Sequence, residues 1–269
     1  MAEVSLAGIT ISYWGPDGSE YTAVRDIDLH VPAGRFVSVV GPTGCGKSTL
    51  LNAAAGLLTP TSGEVRIDGV PLRGLNERAG YLFQQDGLLP WKTVLDNVAL
   101  GLQLRGVPLA ERTESAGEWI RRVGLAGFEG SYPHQLSGGM RRRTSVAQTW
   151  IVDPDILLMD EPFGALDVQT RQIMENELLA LWTGTGKSVL FVTHDLDEAI
   201  ALSDEVVLLS AGPASRVVGH YPVDLPRPRD LLSIRTQPAF TETYTRIWSD
   251  LRTEVMTSYE RSTAHSTGH

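Results

Sequence analysis

The stretch "GPTGCGKST", residues 41–49, constrains this chain more than any other. Before it lies "RFVSVV" (35–40), a nearly continuous apolar run of the kind that forms a strand buried on both faces. After it comes "STLLNAAAGLL", a helical run. A glycine-rich turn between a buried strand and a helix commits this segment to an α/β domain. Every fixed position of G-x-x-x-x-G-K-[ST] is filled, by Gly41, Gly46, Lys47 and Ser48, around Pro42, Thr43, Gly44 and Cys45, with Thr49 following. Glycines let backbone N–H groups turn inward, and the helix N-terminus adds partial positive charge, so such a loop cradles phosphates. Lys47 is expected to reach the β- and γ-phosphates of a nucleotide and the Ser48 hydroxyl to bind Mg²⁺. Cys45 occupies a variable position and reads as a small tolerated residue, not a catalytic thiol.

A second Gly-Lys-Ser, in "GTGKS" (184–188), does not qualify. The glycine needed five residues before Gly186 is Leu181, and the segment precedes a strand instead of following one. It reads as a helix-to-strand turn.

The rest of the chain supports an α/β reading. In "VRDIDLHV", Ile27, Leu29 and Val31 alternate as on a half-buried strand, and "GEVRIDG" (63–69) is a short strand between glycines. Residues 86–150 read as a mostly helical insertion, with Trp119, Ile120 and Val123 on one helical face. Then "DILLMD", "QTRQIMENELLALW", "SVLFVTH", "DEAIALS" and "EVVLLS" alternate strand and helix. That rhythm implies a parallel sheet with helices on both faces. A Pro-rich connector, "LPRPRD" (225–230), precedes a final helix with Phe240, Tyr244, Ile247, Trp248 and Leu251 on one face. The polar end "RSTAHSTGH" is expected to be disordered.

Two carboxylates end the strand in "ILLMDEP" (156–162). A phosphate loop needs a second Mg²⁺ anchor on a neighbouring strand, and Asp160 fits. Glu161 would point elsewhere, toward an attacking water. His194 in "FVTHD" and Gln84 in "YLFQQDG" also sit just past strands, where ligand crevices of parallel sheets gather. Some ninety residues after the first cradle, "HQLSGGMRRR" (134–143) offers a second. Ser137, Gly138 and Gly139 stand at the N-terminus of a helix that starts near Met140, with a hydroxyl, free N–H groups and partial positive charge. Arg141, Arg142 and Arg143 read as a mostly solvated or intersubunit face.

Composition excludes some classes. The formal net charge is -9 and the pI near 5.2, which weighs against a general nucleic-acid binder. One cysteine cannot form an internal disulfide, so a reducing compartment is the natural home. The first residues lack the basic and apolar regions of a signal peptide, and no apolar run approaches the ~20 residues of a membrane helix.

Together, "GPTGCGKST", "FQQ", "LSGGM", "ILLMDEP", "GALD" and "VTHD" resemble, in order, the ATP-binding cassette (ABC) transporter ATPases, from about residue 3 to 230. The stretches "LLPWKTVLDNV", "DEPFGALDVQTR", "VTHDLDEAI" and "VDLPRPRD" are similar to the nitrate/sulfonate/taurine importer subgroup. The resemblance implies an α/β fold with a P-loop NTPase (RecA-like) parallel-sheet core, an N-terminal antiparallel β subdomain and an inserted α-helical subdomain. The ATP-binding domain would span 1–230, with core and β subdomain at 1–85 and 151–230 and the helical subdomain at 86–150. Residues 231–269 would form a C-terminal helix and tail.

The resemblance also implies roles. Tyr13, or less well Tyr21, would stack on adenine. Gln84 would link Mg²⁺ and the attacking water to a membrane-subunit contact, with residues 85–98 as docking surface. Glu161 would be the catalytic base, His194 the γ-phosphate switch, and Asp167 the residue that signals across a dimer. Ser137, Gly138 and Gly139 would close over the γ-phosphate held by a second copy. The implied cofactors are ATP and Mg²⁺. The implied partners are a second copy in a head-to-tail homodimer, transmembrane permease subunits and, indirectly, a periplasmic or lipid-anchored solute-binding protein, with no nucleic acid. The implied place is the cytoplasmic face of the membrane. Departures are Met140, where many relatives carry Gln, and Gln148 and Trp150, where small or basic residues are usual. Two competing readings are a soluble ABC ATPase acting on nucleic acid or the ribosome, and a small-molecule P-loop kinase. The first usually has long coiled-coil insertions or two cassettes, and the second needs neither "LSGG" nor the adjacent Asp-Glu pair.

Overall fold

The computed structural model describes the backbone of residues 1–266 and side chains through Arg261. Two sheets carry the chain. The first is antiparallel, in the order β2-β1-β4-β5, built from β1 (Val4–Trp14), β2 (Glu20–Val31), β4 (Ser62–Ile67) and β5 (Val70–Pro71). Its inward face holds Ile27, Leu29 and Val31, while Asp28 and His30 face out, as the alternation requires.

The second sheet has six strands in the order β10-β9-β3-β8-β7-β6. Its strands are β3 (Phe36–Val40), β6 (Ala79–Leu82), β7 (Ile156–Asp160), β8 (Ser188–Val192), β9 (Glu205–Leu209) and β10 (Val217–Pro222). All neighbours pair in parallel except β10, which runs antiparallel to β9. Strands β3, β7 and β8 are buried along their whole length, which explains their unbroken apolar sequence. Helix α1 (Lys47–Ala54) fills the space between the sheets: Leu50, Leu51, Ala53 and Ala54 pack with Val4, Ile9 and Ile27 on one side and Val39 and Leu158 on the other.

One expectation needs correction. β7 does not neighbour β3, because β8 lies between them. Contact survives because α1 crosses the sheet and packs against both β7 and β8.

Between β6 and β7 the chain is helical: α2 (Val94–Val98), α3 (Leu100–Leu104), α4 (Leu109–Arg122) and α5 (Gly138–Trp150). Ile120 and Val123 are buried, and Trp119 is half-buried under the Arg122 guanidinium. Of the three arginines expected to form a mostly solvated or intersubunit face, Arg142 is buried while Arg141 and Arg143 stay partly exposed. Arg142 is 2% exposed and donates from Nη1 to the Phe83 carbonyl at 2.7 Å. Arg141 pairs with Asp86 at 2.9 Å, and Arg143 pairs with Glu177 at 2.6 Å while donating to the Val123 carbonyl. A run of like charge is dispersed because helical geometry points successive residues in different directions.

After β7 come α6 (Val168–Trp182), β8, α7 (Leu196–Leu202) and β9. The "GTGKS" segment forms the α6-to-β8 turn, with Gly184 and Gly186 at φ 77° and 70°. The long α8 (Pro238–Ser266) buries Phe240, Ile247 and Leu251 and leaves Trp248 exposed. It continues well into the polar end expected to be disordered, since no Pro or Gly interrupts residues 239–266. Residues 267–269 of that stretch lie outside the described residues.

The connector at 225–230 fixes α7 from behind. Arg229 is buried and donates to the carbonyls of Ala201 (3.0 Å), Ser203 (2.7 Å) and Leu225 (3.1 Å), so a cation closes the α7 C-terminus. Burial lowers its guanidinium to about 10. Replacing Arg229 by Met would leave these carbonyls without their donor. Chemical denaturation is expected to show a loss of about 2–4 kcal/mol; an unchanged midpoint would show that water replaces the clamp.

Candidate functional site

The phosphate loop begins where β3 ends. Gly46 is the N-cap of α1 at φ 91°, and a Cβ there would sit 2.5 Å from Val24 Cγ1, so both backbone and space demand glycine. Lys47 is 6% exposed. Its Nζ donates to the carbonyls of Gly41 (2.9 Å) and Pro42 (3.1 Å), and among the described residues no carboxylate pairs with it. A buried cation that meets carbonyl dipoles and the Cys45 thiol, with no paired carboxylate among the described residues, suits an anion. Cys45 is fully buried, and that burial raises its thiol against the opposing pull of Lys47.

Ser48 Oγ donates to Asp160 Oδ1 at 2.9 Å, joining the start of α1 to the end of β7. Burial raises the Asp160 carboxyl, and the Ser48 hydrogen bond works against that rise. The Tyr81 hydroxyl donates to Asn52 Oδ1 at 3.1 Å, and burial beside Asp160 pushes its own ionisation upward. A hydroxyl and a carboxylate side by side are hard oxygen donors, and a carboxylate that burial disfavours gains from a cation. The pair therefore suits Mg²⁺ held by few protein groups and completed by phosphate and water oxygens.

Glu161 follows Asp160 at φ 41°, a left-handed conformation uncommon outside glycine. Its N–H donates to the Val192 carbonyl at 2.8 Å. That kink turns the chain over the end of β8. Glu161 Oε2 thereby comes to lie 3.1 Å from His194 Nδ1 and 3.4 Å from Gln84 Nε2. Three polar residues from the ends of β6, β7 and β8 thus meet at one point next to the Ser48–Asp160 pair. Strain at such a residue is typical of functional sites.

Other expected residues lie apart from this cluster. Ser137 is the N-cap of α5 and accepts from the Met140 N–H at 3.3 Å. The nearest atoms to Cβ positions built on Gly138 and Gly139 belong to Arg141, Leu166 and Thr170, not to the loop 41–49. Asp167 caps α6 by accepting from the Thr170 N–H at 3.0 Å. Tyr13 lies on β1 opposite Tyr21, both half-exposed.

The sequence model of the family described as ABC transporter matches residues 24–164. The chain belongs to the ABC transporter ATP-binding family. An uncharacterised ABC transporter ATP-binding protein of Methanocaldococcus jannaschii is 49% identical over 242 residues, covering 90% of this chain and 89% of that one. The taurine import ATP-binding protein TauB of Yersinia pestis bv. Antiqua is 46% identical over 214 residues, covering 80% and 82%. A solved dimeric ATP-binding cassette in a post-hydrolysis state, bound to ADP and Pi, superposes with a TM-score of 0.73 at 32% identity, covering 83% of this chain and all of that one. The chain therefore has the P-loop NTPase fold of the ABC cassettes: a largely parallel core sheet, an antiparallel sheet and inserted helices.

Next to the cassette site, a groove of about 410 Å³ opens between β6, α3 and α5, lined by Phe83, Leu100, Leu104, Gln148, Thr149 and Val152. Beside it, Pro90 and Trp91 are exposed, whereas Leu88 and Leu89 are half-buried. Sequence reasoning missed the cause. Asn97 is fully buried and holds that loop: the Leu89 N–H donates to its Oδ1 (2.8 Å), and its Nδ2 donates to the Lys92 (3.0 Å) and Thr93 (2.9 Å) carbonyls. A polar residue between Leu95 and Val98 inside a helical run is the signal that marks it. Among the described residues, no helix is long and apolar enough to cross a membrane.

The burial of Cys45 is directly testable. A thiol reagent is expected to label the native protein slowly and the urea-unfolded protein at once. Fast labelling of the native protein would show a phosphate loop more open than described.

Proposed function

We propose that this chain hydrolyses ATP to energise a bacterial ABC importer for small anions of the nitrate, sulfonate or taurine type. The meeting of Gln84, Glu161 and His194 beside Ser48 and Asp160 carries this reading. The taurine-import relatives support the subgroup, and the dimeric cassettes support pairing of two copies.

In this reading, Tyr13 stacks on adenine and residues 41–49 wrap the phosphates. Lys47 exchanges its carbonyl partners for phosphate oxygens and offsets charge that grows on them. Bound Mg²⁺, held by Ser48 and Asp160 with Gln84 nearby, would supply further neutralisation. Glu161 takes the proton of the attacking water. His194 donates toward the γ-phosphate, and its contact with Glu161 keeps the two in register. Ser137, Gly138 and Gly139 of a second, head-to-tail copy close the site, because their helix N-terminus offers free N–H groups. Permease subunits dock in the groove by Phe83 and Leu104 and against Trp91, which puts the protein on the cytoplasmic face of the membrane. The solute-binding protein acts through those subunits, and no nucleic acid takes part.

Replacing Glu161 by Gln keeps size and hydrogen bonding but removes the base. Steady-state turnover is expected to fall about 10²- to 10⁴-fold with ATP affinity retained. Unchanged turnover would sink the assignment of Glu161.

A further inference from the structure

Arg171 lies in the first turn of α6, where its N–H donates to the Asp167 carbonyl at 2.9 Å. Its guanidinium reaches in three directions. Nη2 donates to the Leu166 carbonyl at 3.2 Å. Nη1 donates to Asp195 Oδ2 at 3.1 Å. Nε is buried, lies 3.7 Å from Glu198 Oε1 and, among the described residues, has no hydrogen-bond partner.

These contacts join two loops. Leu166 and Asp167 belong to the loop that follows Glu161, and Leu166 and Thr170 face Gly138 and Gly139 of the second cradle. On the other side, Asp195 and Thr193 flank His194. Thr193 Oγ1 donates to Glu198 Oε2 at 2.7 Å and accepts from the Asp195 N–H at 3.0 Å. Asp195 Oδ1 caps α7 by accepting from the N–H groups of Asp197 (2.9 Å) and Glu198 (3.2 Å). The backbone on each side of His194 is therefore held by groups that Arg171 touches. The nearby buried Glu175 has its own cation, Arg235, at 2.8 Å. That leaves Asp195 and Glu198 to Arg171. Burial pushes the Glu198 carboxyl up to about 7, so it gains from a nearby cation.

We propose that Arg171 is a positioning residue that ties the loop of Leu166 and Asp167 to the loop of His194, so that a contact made by the first sets the imidazole of the second. A second arrangement of this tie is within reach of Nε. It stands just outside hydrogen-bond range of Glu198, and a shift of roughly half an ångström would complete the bond. Coupling through a short chain of polar contacts needs such a pair of discrete states.

The proposal rests on His194 acting in hydrolysis, and the test separates the two claims. Full-length Arg171→Met, Arg171→Lys and His194→Ala are compared by ATPase kinetics, thermal midpoint and NMR of the His194 ring nitrogens. Arg171→Met is expected to lower kcat about 10- to 100-fold, change KM by no more than about twofold and shift the His194 ring signals. Arg171→Lys is expected to recover part of kcat. Should Arg171→Met fail to fold, Asp195→Asn cuts one arm yet keeps an oxygen to cap α7, and the same drop in kcat is expected. Unchanged kcat and unchanged His194 signals, with His194→Ala inactive, would overturn the role of Arg171 alone. An active His194→Ala would overturn the reading beneath it.

Discussion

A single hydrogen bond, from Ser48 Oγ to Asp160 Oδ1, organises the site. It joins α1 to the end of β7, although the strand that leads into the phosphate loop, β3, is separated from β7 by β8. With that bond made, the phosphate loop and the acidic strand set a hydroxyl and a carboxylate side by side. Everything else in the cluster follows from its place. Glu161 comes next in the chain and is turned by its positive φ over the end of β8. The strand in between delivers His194 to the same carboxylate. The intervening strand is thus what allows Asp160, Glu161 and His194 to stand side by side.

Electrostatics give the same picture from another direction. Lys47 is a buried cation facing carbonyls, and Asp160 is a carboxylate that burial disfavours. Each is costly alone. The phosphates and Mg²⁺ of the proposed reaction would relieve both, so the loop holds stabilisation in reserve for its ligand.

Much of this was legible in the sequence because it is local. The phosphate loop, the buried strands and the strand-end positions of Gln84, Asp160, Glu161 and His194 follow from motif spacing and apolar runs. What could not be read depends on how distant segments pack. Strand order placed β8 between β3 and β7. Arg142 looked like surface charge, yet it is buried against the Phe83 carbonyl, which lies fifty-nine positions earlier. Asn97 organises the loop before it through carbonyls and an N–H that only the folded chain brings to it. Strand β10 has few strand signals of its own and forms because β9 offers an edge.

The second cradle remains the most informative part of the chain. In one copy, among the described residues, Ser137 bonds only within its own helix, and its glycines face α6 and the loop before it. In the proposed dimer this cradle is completed by a nucleotide on the partner copy, so that each site is shared. Mixing tests this directly, with every chain carrying Glu161→Gln to hold ATP. One chain adds Lys47→Ala, which spoils its phosphate loop, and the other adds Ser137→Arg, which spoils its second cradle. A head-to-tail pair of unlike chains contains one intact site. Sedimentation with ATP is expected to show monomers for each variant alone and, for the mixture, a dimer holding one nucleotide. A mixture that stays monomeric would contradict the shared site.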